Sequence, residues 1–310
     1  MKLCGNDKQN KSISFMGLKY SAPELPALEV ESISSNNGQY GQDALKVFKT
    51  SGRVGVDDGK WKKKVRIVIV SDSHRSHRSL KIPNGDIFIH CGDFTNHKTS
   101  TSDLRDFNEW LNTIPHKYKI VISGNHDVAL SKSVELNRQK MCNATYLQDE
   151  TIEIEGIKIH GTPWHTDRGI WYLAKAFSAP SHILEQKYQL IPKDIDILIS
   201  HPPPTQVGLD KNHHNRFMGV PELTQHSLMR VKPRVKKKLQ KNASKFGLKQ
   251  IHCFGHNHDG IGVKKFSHTD HDTVLINSAT TVNLQIFFSR AYTKYQNFQK
   301  RSLLSIIIIK

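Results

Sequence analysis

The sequence VRIVIVSDSH at residues 65–74 shows the pattern from which the fold of this 310-residue chain can be predicted. Six residues, most of them β-branched, are followed at once by Ser71, Asp72 and His74. A short apolar run bounded by polar residues predicts a strand buried in a sheet. Ligand sites in open α/β sheets lie just beyond the carboxyl ends of strands, so the polar residues here are candidate functional residues.

The same pattern returns later in the chain. Further short apolar runs, each followed by Gly, Asp, Ser or His, lie at 87–91, 118–122, 195–199 and 250–254. Apolar residues with helical spacing lie between them, clearly over 102–114 and more weakly over 131–141, 181–191 and 222–247, the last a basic segment interrupted near Pro233. This alternation predicts an α/β fold.

The composition excludes several classes of protein. Hydrophobic residues make up 37% of the chain, which is too many for a disordered chain and too few for a membrane bundle. No run approaches the roughly 18–20 apolar residues of a membrane helix. The four cysteines form no CxxC pair, so we expect a reduced intracellular protein, cytoplasmic or alternatively nuclear.

The organisation of the chain divides it into three parts. Residues 1–60 are polar and predict a disordered or irregular N-terminal extension, 61–290 a catalytic domain, and 291–310 a C-terminal tail. The run Ile306–Ile309 in that tail predicts either an edge strand or an aggregation-prone appendage.

The net charge of +17 has two interpretations. It indicates either an anionic partner, such as nucleic acid or nucleotides, or a solvated Lys-rich surface. The basic stretch 232–249 is open to the same two interpretations, nucleic-acid binding or Lys side chains in water.

The residues beyond the strand ends predict a metal centre. They are carboxylate, amide and imidazole donors, namely Asp72, His74, Asp93, Asn125, His201, His256 and His258. Such donors suit Mn, Fe, Zn or Co, and the lack of Cys argues against a closed structural zinc site. Seven donors are too many for one tetrahedral ion but suit two ions if one carboxylate bridges them. Paired ions of this kind can activate a water and hold a phosphate.

Each of these residues also has a purely structural explanation when it is taken alone. Asp72 could cap a helix and Asn125 could occupy a left-handed turn. Their joint occurrence at strand ends favours the metal centre. Most histidines outside these blocks are expected to be exposed or hydrogen-bonded, with entry of His213 and His214 into the cleft as a lesser alternative.

Five short motifs occur in order between residues 72 and 258, namely Asp-x-His, Gly-Asp, Gly-Asn-His-Asp, His and Gly-His-x-His. In this order they resemble the motifs of the calcineurin-like metallophosphoesterase superfamily. Other segments, including Gly161 to Trp164 and Ile276 to Ala279, resemble the brain-type, metallophosphoesterase-domain-containing subfamily in particular. Members of that subfamily hydrolyse cyclic nucleotides and related phosphodiesters. The resemblance implies a four-layer α/β/β/α sandwich with two mixed sheets and a metal-dependent phosphodiesterase.

The resemblance also implies a role for each matching residue. One ion would be held by Asp72, His74, Asp93 and His258, and the other by Asp93, Asn125, His201 and His256. The catalytic residue would be His126, which faces the phosphate and protonates the leaving oxygen. Mn²⁺ is the expected metal, with Fe, Zn or Co as alternatives.

Two details refine what the resemblance implies. Ser/Thr protein phosphatases of the superfamily have an Asp where this chain has Asn96, so a protein phosphatase is disfavoured and Asn96 becomes a candidate substrate-binding residue that hydrogen-bonds His126. Some relatives lack one His of the last block, whereas this chain has both His256 and His258, which favours a competent site.

Two other functions stay open. A nuclease of the same superfamily is favoured by the basic charge, and a binding or scaffold protein with a vestigial site is disfavoured by the intact donor set. The expected partner is a small phosphodiester or nucleotide, without a membrane. The aromatic residues of 162–177, which are Trp164, Trp171, Tyr172 and Phe177, predict either a wall that stacks a base or ordinary packing.

Overall fold

The computed structural model describes residues 64–96, 101–130, 133–167, 169, 174–230, 249–267, 272–280 and 304–309. The strands are β1 (Lys64–Val70), β2 (Ile87–His90), β3 (Tyr118–Val121), β4 (Thr145–Tyr146), β5 (Glu150–Ile154), β6 (Ile157–Thr162), β7 (His165–Thr166), β8 (Ser178–Ala179), β9 (Ile197–Ser200), β10 (Lys249–Phe254), β11 (Gly262–Ser267), β12 (Asp272–Asn277) and β13 (Leu304–Ile309). The α-helices are α1 (Thr101–Thr113), α2 (Val134–Lys140), α3 (Ser181–Gln189) and α4 (Pro221–Thr224), with a 3₁₀ turn at His77–Ser79 and a π-helical turn at Gln225–Arg230.

The strands of the described ranges form two mixed sheets and one small pair, β7 with β8. The first sheet has the order β13-β1-β2-β3-β4, in which β13 is antiparallel to β1 and the other neighbours are parallel. The second has the order β11-β12-β10-β9-β6-β5, with antiparallel strands at both edges and parallel strands between them. The predicted α/β class with mixed sheets is confirmed.

One face of each sheet contributes to a shared apolar core. This core contains buried residues of both sheets, among them Ile67, Ile69, Ile89, Ile120, Ile159, Ile199 and Ile276. Because side chains alternate across a strand, Val68 and Val70 of β1 lie on the opposite face, in a second core with Phe107 and Leu111 of α1. The carboxyl ends of the central strands are thereby held in fixed positions.

The predicted elements are found close to their expected bounds. The five predicted strands correspond to β1, β2, β3, β9 and β10, and the helix predicted over 102–114 is α1. The weaker helical segments appear as the shorter α2 and α3. Of the basic helix predicted over 222–247, the described residues contain α4 and the π-helical turn. Residues 231–248 lie outside the described residues, as do 1–63.

Two elements carried a weaker signal in the sequence. The β5–β6 hairpin turns at Glu155 and Gly156, which both have positive φ (50° and 74°). The Ile run near the C-terminus forms the edge strand β13, paired with β1 from Lys64↔Ile309 to Ile69↔Leu304, which is one of the two predicted alternatives. None of the described helices has the length and apolar character that crossing a membrane requires.

Candidate metal centre

The candidate donors are carried by loops in which the backbone is strained. Asp72, His74, Asp93 and His256 all have positive φ, between 40° and 66°. This conformation is costly for residues with a side chain, about 1–3 kcal/mol each, and persists only where the surrounding structure enforces it. Such strain is concentrated at functional sites, and here it falls on four of the seven predicted donors.

The first group of donors consists of Asp72, His74 and His258, whose ligand atoms converge. The Nε2 atom of His258 lies 3.2 Å from Oδ1 of Asp72 and 3.3 Å from Nε2 of His74. Asp72 is completely buried, and His74 is nearly so. Two ring nitrogens and a carboxylate oxygen that face one point form a suitable cradle for a cation.

The second group consists of Asp93, His201 and His256, joined by the side chain of Asn125. Oδ1 of Asn125 lies 2.8 Å from Nε2 of His201 and 2.8 Å from Nδ1 of His256. The same two nitrogens are 3.3 Å apart, so that all of these atoms surround one position.

Asp93 lies between the two groups. Its Oδ2 atom is 3.3 Å from Nε2 of His201 and 4.0 Å from Nε2 of His74. Its Oδ1 atom accepts a hydrogen bond of 2.8 Å from the backbone N–H of His126. One carboxylate oxygen therefore faces donors of both groups, which is the geometry expected of a bridging ligand.

The outer ring nitrogens of two histidines are fixed by backbone carbonyls. Nδ1 of His74 donates to the carbonyl of Thr95 at 3.1 Å, and Nδ1 of His201 donates to that of Cys91 at 2.9 Å. Each bond assigns Nδ1 as a donor, so that Nε2 is the ring nitrogen available to a metal ion, as is usual for metal-binding histidines. The donor set therefore fits divalent ions that accept nitrogen and oxygen ligands.

The electrostatics of the centre favour bound positive charge. Burial opposes protonation of His201, but the Asp93 carboxylate outweighs it and raises the pKa of His201 to about 9. Burial likewise opposes ionisation of Asp72, but the hydrogen bond and charge of His258 hold the pKa of Asp72 below its usual range. In each case a buried carboxylate is paired with an imidazole, and the pairing favours the charged form of both groups.

His126 lies at the edge of this arrangement. Its ring packs edge-on against His74, with 4.9 Å between the ring centroids. Burial lowers the pKa of His126, with the carboxylate of Asp93 acting in the opposite direction. The side chain is thus beside the donors of the first group, as expected of a residue that contacts a bound phosphate.

Asp127 organises the loops of the centre, although the sequence assigned it no role. Its Oδ2 atom accepts hydrogen bonds from the backbone N–H of Asp93 and of Gly124, at 2.9 and 2.7 Å. Its Oδ1 atom accepts from the N–H and the hydroxyl of Thr95, at 3.0 and 2.7 Å. Its position in the Gly-Asn-His-Asp block was the only available signal.

Close packing explains two of the glycines. A Cβ atom on Gly124 would contact the Asp93 carboxylate, and one on Gly255 would contact that of Asp72. Gly92 has φ 94°, a conformation that favours glycine, and a Cβ atom there would also lie 2.6 Å from the backbone nitrogen of Gly124. The glycines therefore let the backbone approach the carboxylates as well as turn.

The remaining candidates are placed less centrally. Asn96 is half-buried at the end of a described segment, and its contact with His126 stays a prediction. Trp164 and Phe177 are buried against each other, so the packing alternative holds for these two, while Trp171 and Tyr172 lie outside the described residues.

The histidines outside the predicted blocks have mainly structural contacts. His213 is exposed and pairs with Asp259 at 2.9 Å instead of entering the cleft. His90 and His252 are completely buried, and their Nε2 atoms lie 3.0 and 2.8 Å from the hydroxyls of Ser73 and Ser200. Cys91 and Cys253 are free and buried, as predicted for core thiols.

The chain is similar to several known proteins. The family model described as calcineurin-like phosphoesterase matches residues 65–260. The chain is 33% identical over 245 residues to human metallophosphoesterase domain-containing protein 1, covering 71% of this chain and 68% of the human protein. It is 33% identical over 261 residues to a UPF0046 protein of Caenorhabditis elegans, covering 76% of this chain and 85% of that protein. Among solved structures, TT1561 of Thermus thermophilus is 14% identical, with a TM-score of 0.42, over 69% of this chain and 89% of that one.

Proposed function

This chain belongs to the calcineurin-like phosphoesterase family, and from that membership we propose that it hydrolyses a small phosphodiester, a cyclic nucleotide or nucleotide-like ester, at a dinuclear metal centre. Membership itself makes the protein a phosphoester hydrolase of a metal-dependent family. The substrate class and the number of ions are the finer points of the proposal.

One observation carries the proposal of two ions. Two separate groups of donors converge on two positions, and the carboxylate of Asp93 faces both. We assign Asp72, His74, Asp93 and His258 to one ion and Asp93, Asn125, His201 and His256 to the other. Mn²⁺ is the proposed metal, with Fe, Zn or Co as alternatives, because the donors are nitrogen and oxygen without thiolate.

The ions, when bound, would polarise the phosphoryl oxygens and supply an activated water at neutral pH. The chain's own residues hold and orient the substrate around them. His126 is the proposed proton donor to the leaving oxygen, because its half-buried ring lies beside His74 and its backbone N–H is fixed by Asp93.

The experiment is hydrolysis of bis(p-nitrophenyl) phosphate after the metals are stripped and Mn²⁺ is restored. We expect metal-dependent turnover in the native chain and almost none in Asp93→Asn. His126→Ala should lose rate while keeping two ions per chain, measured by elemental analysis. Asp194→Asn is the matched control, since the Asp194 carboxylate is 59% exposed and, within the described residues, forms its ion pair with Lys158. A folded, metal-loaded native chain without turnover would contradict the proposal.

The net charge of +17 favours a nuclease as the second candidate. Phosphate contacts by Lys and Arg make DNA binding fall steeply with salt. Binding of a short DNA duplex that persists near physiological salt, together with cleavage that Asp93→Asn abolishes, would support this candidate over a small-molecule phosphodiesterase.

A further inference from the structure

A cavity opens beside the second group of donors. Its volume is about 300 Å³, and His256 forms part of its wall. Its lining also includes the apolar residues Phe217, Met218 and Val220 and the charged residue Arg216. Small-molecule sites have volumes from about 300 Å³ upward, with a mostly apolar lining and a few polar groups. The cavity is therefore large enough for a small organic group whose phosphate lies at the metal centre.

Phe217 is the unusual residue of this wall. Its side chain is 49% exposed, which makes it one of the few large exposed hydrophobic residues in the described part of the chain. The ammonium group of Lys211 lies 5.0 Å from the centre of its ring. An exposed aromatic ring, flanked by Lys211 and Arg216, suits a flat aromatic group that is attached to an anionic phosphate.

The segment that carries Phe217 is held in one shape by its own backbone. Lys211 and Phe217 form an antiparallel bridge. The N–H of Met218 donates to the carbonyl of Asp210 at 2.7 Å, and the N–H of Asn212 donates to that of Arg216 at 3.0 Å. We call residues 210–218 the pocket hairpin. Because it is already ordered, a ligand would not have to order it on binding.

The pocket hairpin is also tied directly to the metal-binding loop. Asn257, between the donors His256 and His258, is buried, and its amide nitrogen donates to the carbonyls of Leu209 and Lys211 at 2.9 and 3.0 Å. This side chain fixes the distance between the wall that carries Phe217 and the donor groups. Asn257 is thus a positioning residue for the cavity.

We propose that this cavity is a nucleobase subsite, in which the ring of Phe217 stacks on the base of a nucleotide whose phosphate lies at the metal centre. The role of the subsite in turnover rests on the phosphodiesterase function proposed above. Binding of the base depends only on the cavity and can be measured without turnover.

The test compares the binding of AMP and of ribose 5-phosphate to the full chain with Mn²⁺ restored, by titration calorimetry. The native chain should bind AMP more tightly, since ribose 5-phosphate lacks the base. Phe217→Ala should weaken AMP binding about fivefold or more, since that is the lower end of what the stacking of one base on an aromatic side chain contributes. It should leave the binding of ribose 5-phosphate unchanged. Phe217→Tyr should restore the preference.

Leu190→Ala is the matched control, because Leu190 is 54% exposed and does not line the cavity. Equal binding of the two ligands by the native chain, or unchanged AMP binding in Phe217→Ala, would overturn the subsite. If the AMP preference depends on Phe217 while bis(p-nitrophenyl) phosphate is not hydrolysed, the subsite stands and the phosphodiesterase function fails. If the chain hydrolyses bis(p-nitrophenyl) phosphate but does not prefer AMP, the phosphodiesterase function stands and the subsite fails.

Discussion

Replacing Asp127 with Asn tests whether one buried carboxylate holds the loops of the metal centre together. Its two oxygens accept four hydrogen bonds, two from the backbone of Asp93 and Gly124 and two from Thr95. Burial and the neighbouring Asp93 carboxylate raise the pKa of Asp127 to about 7. At pH 8 the carboxylate is mostly ionised and accepts all four bonds.

The size of the effect follows from this count of donors. An Asn side chain has the same shape, but its NH₂ group cannot accept and must face one pair of donors. If the NH₂ group faces Thr95, the Thr95 hydroxyl can rotate away and only the backbone N–H of Thr95 stays unpaired. If the NH₂ group faces Asp93 and Gly124, the backbone N–H groups of both residues stay unpaired. Each buried donor left without a partner costs about 1–3 kcal/mol, so Asp127→Asn should lower the free energy of unfolding by roughly 1–6 kcal/mol.

The assay is urea unfolding of the metal-free chain at pH 8, combined with Mn²⁺ binding by the folded variant. We expect a lower unfolding midpoint and weaker Mn²⁺ binding, because the N–H groups of Asp93 and Gly124 lose their anchor. Asp194→Asn is the control, since an exposed ion pair contributes only about 0–1 kcal/mol. If Asp127→Asn unfolded at the midpoint of the control and bound Mn²⁺ normally, the anchoring role would be refuted.

Three further predictions concern the same region. Asp93→Asn should lose both ions and Asp72→Asn only one, because only Asp93 faces both groups of donors; elemental analysis gives the stoichiometry, and equal losses would contradict the bridge. Gly124→Ala should weaken Mn²⁺ binding and destabilise the fold by about 1–3 kcal/mol, since its Cβ would lie 2.6 Å from Cε1 of His201, and urea unfolding checks the cost. Burial lowers the pKa of His90 and of His252 to about 3, so between pH 6.5 and pH 3 the unfolded chain binds more protons and stability falls as the pH falls, by about 1.4 kcal/mol per pH unit for each histidine. Urea unfolding of the metal-free chain at several pH values should show a shallower slope for His252→Gln.

The donors could be predicted from sequence because their positions depend on local rules. A buried strand has a short apolar run, and its carboxyl end is marked by the first polar residue. Asp72, Asp93 and His201 each follow directly or closely after such a run. Neighbouring parallel strands end at the same edge of a sheet, so residues at those ends meet even when they are far apart in the chain.

The wall of the cavity follows no such rule. Phe217 lies in a stretch without regular periodicity, and for its sequence neighbours His213 and His214 entry into the cleft was only the lesser alternative. The aromatic residues that did suggest a stacking surface, Trp164 and Phe177, pack against each other in the interior. Whether an aromatic residue in a loop is buried or exposed depends on tertiary contacts, which the pattern of one segment does not contain.

The residues that could be predicted from sequence are the metal donors, whereas the wall of the cavity, which we propose to select the substrate, could not be predicted. The donors stand at the ends of strands that are packed from both sides, so their geometry is set by the sheets and tolerates little change. The Asn257 amide joins the pocket hairpin to the donor loop through the carbonyls of Leu209 and Lys211. A second contact joins His213 to Asp259, and none of these bonds involves the side chain of Phe217. Side chains such as Phe217 can therefore change without moving the donors. It follows that substrate preference in this fold should vary with the pocket hairpin, while the metal centre stays the same. Exchanging Phe217 should accordingly alter which ester is bound, and it should leave the number of ions unchanged.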